Sequence, residues 1–158
     1  MTACPRIDVA RTQAAGSVAI AGETMHRVAF AIASVAPLWA PAPRRGGNLV
    51  VPGRAGTLAL PRHVTEAKVA LPMVIDGRFL PDDSPAPDDL AGLAVTLRWL
   101  DDNIVGTTPR TLTLTPAAGP DLTATVNVEG VTLGDRNRGL WFAVLDLTIP
   151  AGRLNVAP

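Results

Sequence analysis

Thr111-Leu112-Thr113-Leu114-Thr115, then Leu122-Thr123-Ala124-Thr125-Val126-Asn127-Val128, Val131-Thr132-Leu133 and Leu140-Trp141-Phe142-Ala143-Val144-Leu145-Asp146-Leu147-Thr148-Ile149 dominate the last third of the chain. The first two runs alternate between apolar and polar or small residues, and a period of two puts one kind on each face of a β-strand. The last is long and apolar, as a buried strand is. Gly119-Pro120, Glu129-Gly130 and Gly134-Asp135 stand between the runs and supply turns. The reading is a meander of three or four antiparallel strands.

Working upstream, residues 81–104 read as a Pro- and Asp-rich linker that becomes a helix. Ser84 or Asp88 can cap it, and Asp88 and Asp89 place negative charge at its N-terminus. Leu90, Leu93, Ala94, Leu97 and Leu100 recur at three and four, so residues 88–103 form the one amphipathic helix, its stripe widened by Trp99 and Ile104. Residues 65–75 favour a strand with Val69, Leu71, Met73 and Ile75 on one face. Pro72 has no N–H, which places that strand at an edge or bends it there. Nearer the start, 6–9 and 16–21 are short apolar-alternating pieces, and 27–35 reads as a buried strand. A hairpin of 18–20 against 28–32 follows from Gly22. Trp39, Trp99 and Trp141 are assigned to the core.

Between these strands lies 36–63, an extended Arg/Gly/Pro segment containing Arg44-Arg45-Gly46-Gly47-Asn48-Leu49-Val50-Val51-Pro52-Gly53-Arg54-Ala55-Gly56. Glycine supplies positive φ and proline fixes φ and removes a donor, so the segment is neither helix nor central strand. Two readings apply: an arginine-bearing arm that meets a neighbouring subunit, or a solvated hairpin connection. Asp135-Arg136-Asn137-Arg138-Gly139 divides the same way, as a second contact with Trp141 and Phe142 as its anchor or as a plain hairpin tip. The candidate subunit-interface residues are Arg44, Arg45, Arg54, Arg62, Arg136 and Arg138.

Composition narrows the functional classes. At 158 residues the chain fits a single β-rich domain, 1–158, and 47% hydrophobic content marks it as globular. Fourteen basic and fourteen acidic residues cancel, which argues against a nucleic-acid partner and leaves little repulsion against self-association. Cys4 is the only cysteine and His26 and His63 lie far apart, so neither a disulfide nor a metal or other cofactor is expected. The apolar run 28–40 is too short to span a membrane, is broken by Pro37, and is badly flanked for a signal peptide. Asp82-Asp83, Asp88-Asp89 and Asp101-Asp102 lack calcium-loop spacing, and they read as linker solvation and helix capping. No phosphate-cradling loop, Gly-x-Ser-x-Gly or His-Glu-x-x-His occurs, and His63 with Glu66 makes a poor acid–base pair. The chain is read as no enzyme.

The arginine-glycine segment 45–56, with Lys68-Val69-Ala70-Leu71-Pro72-Met73 and Val144-Leu145-Asp146-Leu147-Thr148-Ile149-Pro150-Ala151-Gly152-Arg153, resembles the distal tail proteins of siphovirus-like phages and prophages. These anchors fall between 44 and 153. The resemblance implies a mainly β fold, an antiparallel β-sandwich or split barrel with one α-helix. It also implies a virion structural protein that forms a ring, a homohexamer, and joins the tail tube protein to tail hub or tip proteins. Such a protein is made in the bacterial host cytoplasm and ends in the virion tail, with no nucleic acid or membrane contact. Family members often carry a second, carbohydrate-binding-like domain, for which little chain remains here. The alternatives are another tail-tube or tail-completion protein, a small β-sandwich ligand-binding module and, last, a hydrolase.

Overall fold

The computed structural model describes residues 6–14, 16–40, 44–45, 48–50, 52–53, 55, 57–59, 63–106, 108–137 and 139–158, with 45, 48–50, 57–59 and 63 described by their backbone. A short helix α1 (Val9–Ala14) precedes strands β1 (Ser17–Ile20), β2 (Glu23–Thr24) and β3 (Phe30–Ile32) and a 3-10 turn (Ala36–Trp39). Four short strands follow, β4 (Arg44–Arg45), β5 (Asn48–Val50), β6 (Thr57–Ala59) and β7 (His63–Val64), then the long β8 (Ala67–Asp76) and helix α2 (Asp89–Asn103). The chain closes with β9 (Arg110–Thr115), β10 (Leu122–Asn137), β11 (Leu140–Ile149) and β12 (Asn155–Val156).

β10 organises the sheet. Its start pairs with β9, from Leu122↔Leu114 to Val126↔Arg110, and residues 127–137 pair instead with β11. One strand thereby passes from one half of the sheet into the other, giving the order β2-β1-β9-β10-β11-β8-β3 with β12 on β10. Every strand pairing is antiparallel, and the sheet folds over one core without closing into a barrel. The alternation read from the sequence points Val69, Leu71, Met73 and Ile75 of β8 and Leu112 and Leu114 of β9 into that core, where Ala143, Leu145, Leu147 and Ile149 of the apolar β11 meet them. Met25 ties the two ends of the open sheet: its N–H donates to the Val18 carbonyl at 2.9 Å, and its carbonyl accepts from the Ile32 N–H at 3.1 Å. His26 completes the seam. Its Nε2 accepts from the Val18 N–H at 2.9 Å, which leaves the proton of the neutral ring on Nδ1, facing Thr12 Oγ1 of α1 at 3.1 Å.

Helix α2 begins as expected, with the Asp88 side chain accepting from the Ala91 N–H at 2.8 Å. Its inward stripe differs from the expectation: Gly92, Leu93, Thr96 and Leu100 are buried, while Leu90 is 65% exposed. The cause is a close approach of backbones, since a Cβ on Gly92 would lie 1.8 Å from the Gly77 carbonyl oxygen. That contact turns the glycine side of the helix inward and Leu90 outward. Arginines hold both ends of α2. The Arg27 guanidinium lies 4.6 Å from the Trp99 ring centroid and pairs with Glu23, and Arg136 pairs with Asp89 while lying over Trp141. Beside them the buried Asp76 carboxylate receives Nε and a terminal nitrogen of Arg78, each at 2.9 Å.

Several expectations are corrected. Glu129-Gly130 and Gly134-Asp135 are not turns but register shifts within the continuous β10, and the chain reverses at Gly139, where φ is +87°. No hairpin joins 18–20 to 28–32: β1 pairs with β2 and β9, and β3 pairs with β8. β3 is also shorter than the expected 27–35, for a reason lying in Pro72. Ala33 donates to the Pro72 carbonyl at 2.8 Å, and Pro72 has no N–H to return, so the ladder stops at Ile32. A second, six-residue helix, α1, stands beside the one expected. Trp39 is 52% exposed and lies outside the core. Within 36–63 the described residues include a 3-10 turn and strands β4 to β6, so the segment is not a plain loop.

Candidate interaction surface

The chain between the 3-10 turn and β8 forms two nested antiparallel ladders, Arg44↔Val64 with Arg45↔His63, then Asn48↔Ala59 through Val50↔Thr57. Among the described residues these strands pair with each other and with no strand of the main sheet, so they form an arm of their own. Gly152 fixes the root of this arm. At φ +78° it turns the chain after β11, and a Cβ there would fall 2.3 Å from the Thr65 carbonyl oxygen.

Of the arginines read as interface candidates, Arg44 is exposed on β4 and Arg45 follows it on the same strand. Arg54, Arg62 and Arg138 lie outside the described residues. Arg136 sits apart from the arm, on β10, in its ion pair with Asp89. The structure therefore brings Arg44 and Arg45 together and places Arg136 at the N-terminus of α2.

The outer face of β3, β8, β11 and the second half of β10 falls into three zones. At one end α1 covers it, leaving a cavity of about 500 Å³ that includes Ile7, Arg11, Ala31, Val74 and Leu140. In the middle Ala33, Pro72, Gly134, Phe142 and Val144 line an apolar groove of about 250 Å³, and Phe142 is 47% exposed. At the other end a cleft of about 340 Å³ is lined by Lys68, Glu129, Thr132 and Asp146. Thr148 donates to Glu129 Oε1 at 2.7 Å, and Thr132 donates to Asp146 Oδ2 at 3.2 Å. Among the described residues neither carboxylate has an ion-pair partner. Beside this face runs an open edge, because residues 127–137 of β10 pair with β11 on one side and with no described strand on the other.

Phe142 is visible in the sequence as half of an aromatic pair, whereas nothing local marks Glu129 and Asp146 as a pair. The available signal was an acid inside the apolar run Val144-Leu145-Asp146-Leu147. The other groups that invite a catalytic reading are used locally. Asp82 accepts from the Ser84 N–H and hydroxyl, and the Ser84 hydroxyl holds its carboxyl below the usual range. Asp83 accepts from the Val28 N–H, and burial lowers the pKa of His26. Among the described residues no three His, Cys, Asp or Glu side chains converge, and no helix is long and apolar enough to cross a membrane.

No protein-family model and no curated protein sequence matches the chain. A solved structure does match. The crystal structure of the SPP1 Dit (gp 19.1) protein, described as a paradigm of the hub adsorption apparatus in phages infecting Gram-positive hosts, superimposes with a TM-score of 0.64 at 14% identity. The likeness is one of fold. It covers 87% of this chain and 50% of the SPP1 protein, so the chain corresponds to about half the length of that neighbour.

Proposed function

We propose that this protein is a structural component of a phage tail, a ring-forming adaptor that joins the tail tube to the tail tip or baseplate hub. The observation that carries the reading is the fold shared with SPP1 Dit over 87% of the chain, a protein whose description places it in a hub adsorption apparatus. The arm and the open edge of β10 support it, because a ring needs two different surfaces on each copy. A contact between unlike patches closes into a ring when its rotation permits, and it passes the symmetry of the tube to the hub. The proposed partners are further copies of this chain, six in the closed ring, then a tail tube protein and a hub or tip protein. The proposed location is the virion tail and the proposed role is assembly without catalysis.

Native mass spectrometry of the purified full chain, with negative-stain images of the same sample, tests this reading. A closed assembly near six copies is the expected result. A chain that stays monomeric both alone and with purified tube and hub proteins overturns it. Replacing Arg44, Arg45 and Arg54 together by Ala is expected to abolish the assembly and leave the circular dichroism spectrum and melting temperature of the monomer unchanged.

A further inference from the structure

We infer that the cavity between α1 and the sheet binds a small amphipathic anion, a monocarboxylate on an apolar chain. The site lies within a single copy of the protein and needs neither the ring nor the 44–64 arm.

The two sides of the cavity differ in kind. At about 500 Å³ it has the size of a small-molecule site, commonly about 300–1,000 Å³ and mostly apolar with a few placed polar groups. Its floor is the outer face of the sheet, where Ala31, Ala33, Val74 and Leu140 offer no polar side chain. Ala31 and Val74 stand opposite each other on β3 and β8, and Phe142 of β11 continues the row. Ala33 also lines the groove at Phe142, so the apolar floor runs on past the helix. The polar side chains of the lining all come from the α1 side, from Arg6, Asp8, Arg11 and Thr12. A ligand with one polar end therefore has one orientation, its head at α1 and its chain along the sheet.

Charge sets the head group. Asp8 is engaged locally, where its carboxylate accepts from the Arg11 N–H at 3.1 Å. The Arg6 guanidinium lies 5.7 Å from the Phe79 ring centroid, and among the described residues neither it nor the Arg11 guanidinium has an ion-pair partner. The three charged groups leave this rim at +1, which one carboxylate neutralises and a phosphate monoester, near −2 at neutral pH, overshoots. A guanidinium holds a carboxylate by two parallel hydrogen bonds. Such a ligand also ties α1 to the sheet. The helix has six residues, none of them buried, and its side-chain hydrogen bond to the strands runs from Thr12 Oγ1 to His26 Nδ1 at 3.1 Å. A helix this short is not stable by itself, so a molecule that spans rim and floor adds to what holds it.

The test is isothermal titration calorimetry of the purified full chain with hexanoate, octanoate and decanoate, and with octylamine and octan-1-ol as probes of equal chain length and different charge. Octanoate is expected to bind saturably at one site, at least tenfold tighter than octylamine, and each added methylene is expected to tighten binding about fourfold. Arg6→Gln with Arg11→Gln is expected to reduce octanoate to the affinity of octan-1-ol and leave octan-1-ol unchanged, and that retained binding shows that the variant is folded. Val74→Phe adds volume at a half-buried position on the outer face, where it fills the cavity. It is expected to weaken octanoate and octan-1-ol alike at least tenfold and keep the wild-type circular dichroism spectrum. Hydrogen exchange needs no substitution: octanoate is expected to slow exchange of the Thr12 N–H, which donates to the Asp8 carbonyl at 3.0 Å. Octanoate that fails to saturate, binds no tighter than octylamine, binds the arginine variant as it binds the wild type, or leaves Thr12 exchange unchanged overturns the site.

Discussion

His26 joins three elements through one ring. Because Nε2 accepts from Val18 and Nδ1–H faces Thr12, the neutral tautomer is fixed, and Thr12 passes the chain on by donating to the Val9 carbonyl at 2.9 Å. Protonation turns Nε2 into a donor facing a donor, and burial already disfavours the charge. The folded pKa thus lies below the unfolded value near 6.5, and the folded state binds fewer protons between the two. Stability from this group is present in full above about pH 6.5 and is lost as pH falls through the folded pKa. Melting temperatures measured between pH 8 and pH 5 are expected to fall more steeply for the wild type than for His26→Gln, whose amide oxygen accepts the same N–H without titrating. Equal slopes would remove His26 from the seam. This role is invisible in the sequence, since a lone histidine between Met25 and Arg27 shows neither its burial nor its long-range partners.

Among the elements, helix α2 was the most legible in sequence and also the one whose seating was hidden. Its limits and its Asp88 cap follow from local rules of side-chain capping and spacing. Its orientation does not, because it depends on Gly92 meeting Gly77, a contact between distant residues that spacing cannot reveal. The same division holds for the strands. Alternation locates β8 and β9 and the long apolar run locates β11, whereas Gly130 inside β10 reads as a turn, because glycine marks bulges and turns alike. The arm's candidate arginines were legible as charge, whereas Glu129 and Asp146 share one cleft only because β10 and β11 become neighbours. A Cβ at Gly92 falls 1.8 Å from a backbone oxygen, which no rotamer change relieves, so the helix must move away from the sheet. Gly92→Ala is expected to cost about 3 kcal/mol despite the better helix propensity of alanine. Urea unfolding monitored by circular dichroism measures it, and a stabilised variant would show that the helix lies farther from β8 than described.

Across the whole molecule, the two faces of the same strands differ in what they meet. Leu71 and Met73 of β8 and Ala143 and Leu145 of β11 face the core, while Pro72, Phe142 and Val144 between them line the outer groove. The period of two that gives the sheet an inside therefore also gives it an apolar outside, which a monomer has no need to keep. Phe142 separates the two uses. Its ring is 47% exposed in the single chain, so shortening it forfeits part of one side chain's burial and opens no internal cavity. Threonine keeps the strand preference of the position. Phe142→Thr is expected to change monomer stability by about 1 kcal/mol or less and to weaken assembly at least about tenfold, the effect of losing about 1.4 kcal/mol at a contact. Urea unfolding of dilute protein gives the first quantity and the concentration dependence of mass by light scattering gives the second. Loss of both in proportion would place Phe142 in the fold rather than the interface. Loss of assembly with the fold intact would show that the outer face of this sheet is kept apolar for a second chain.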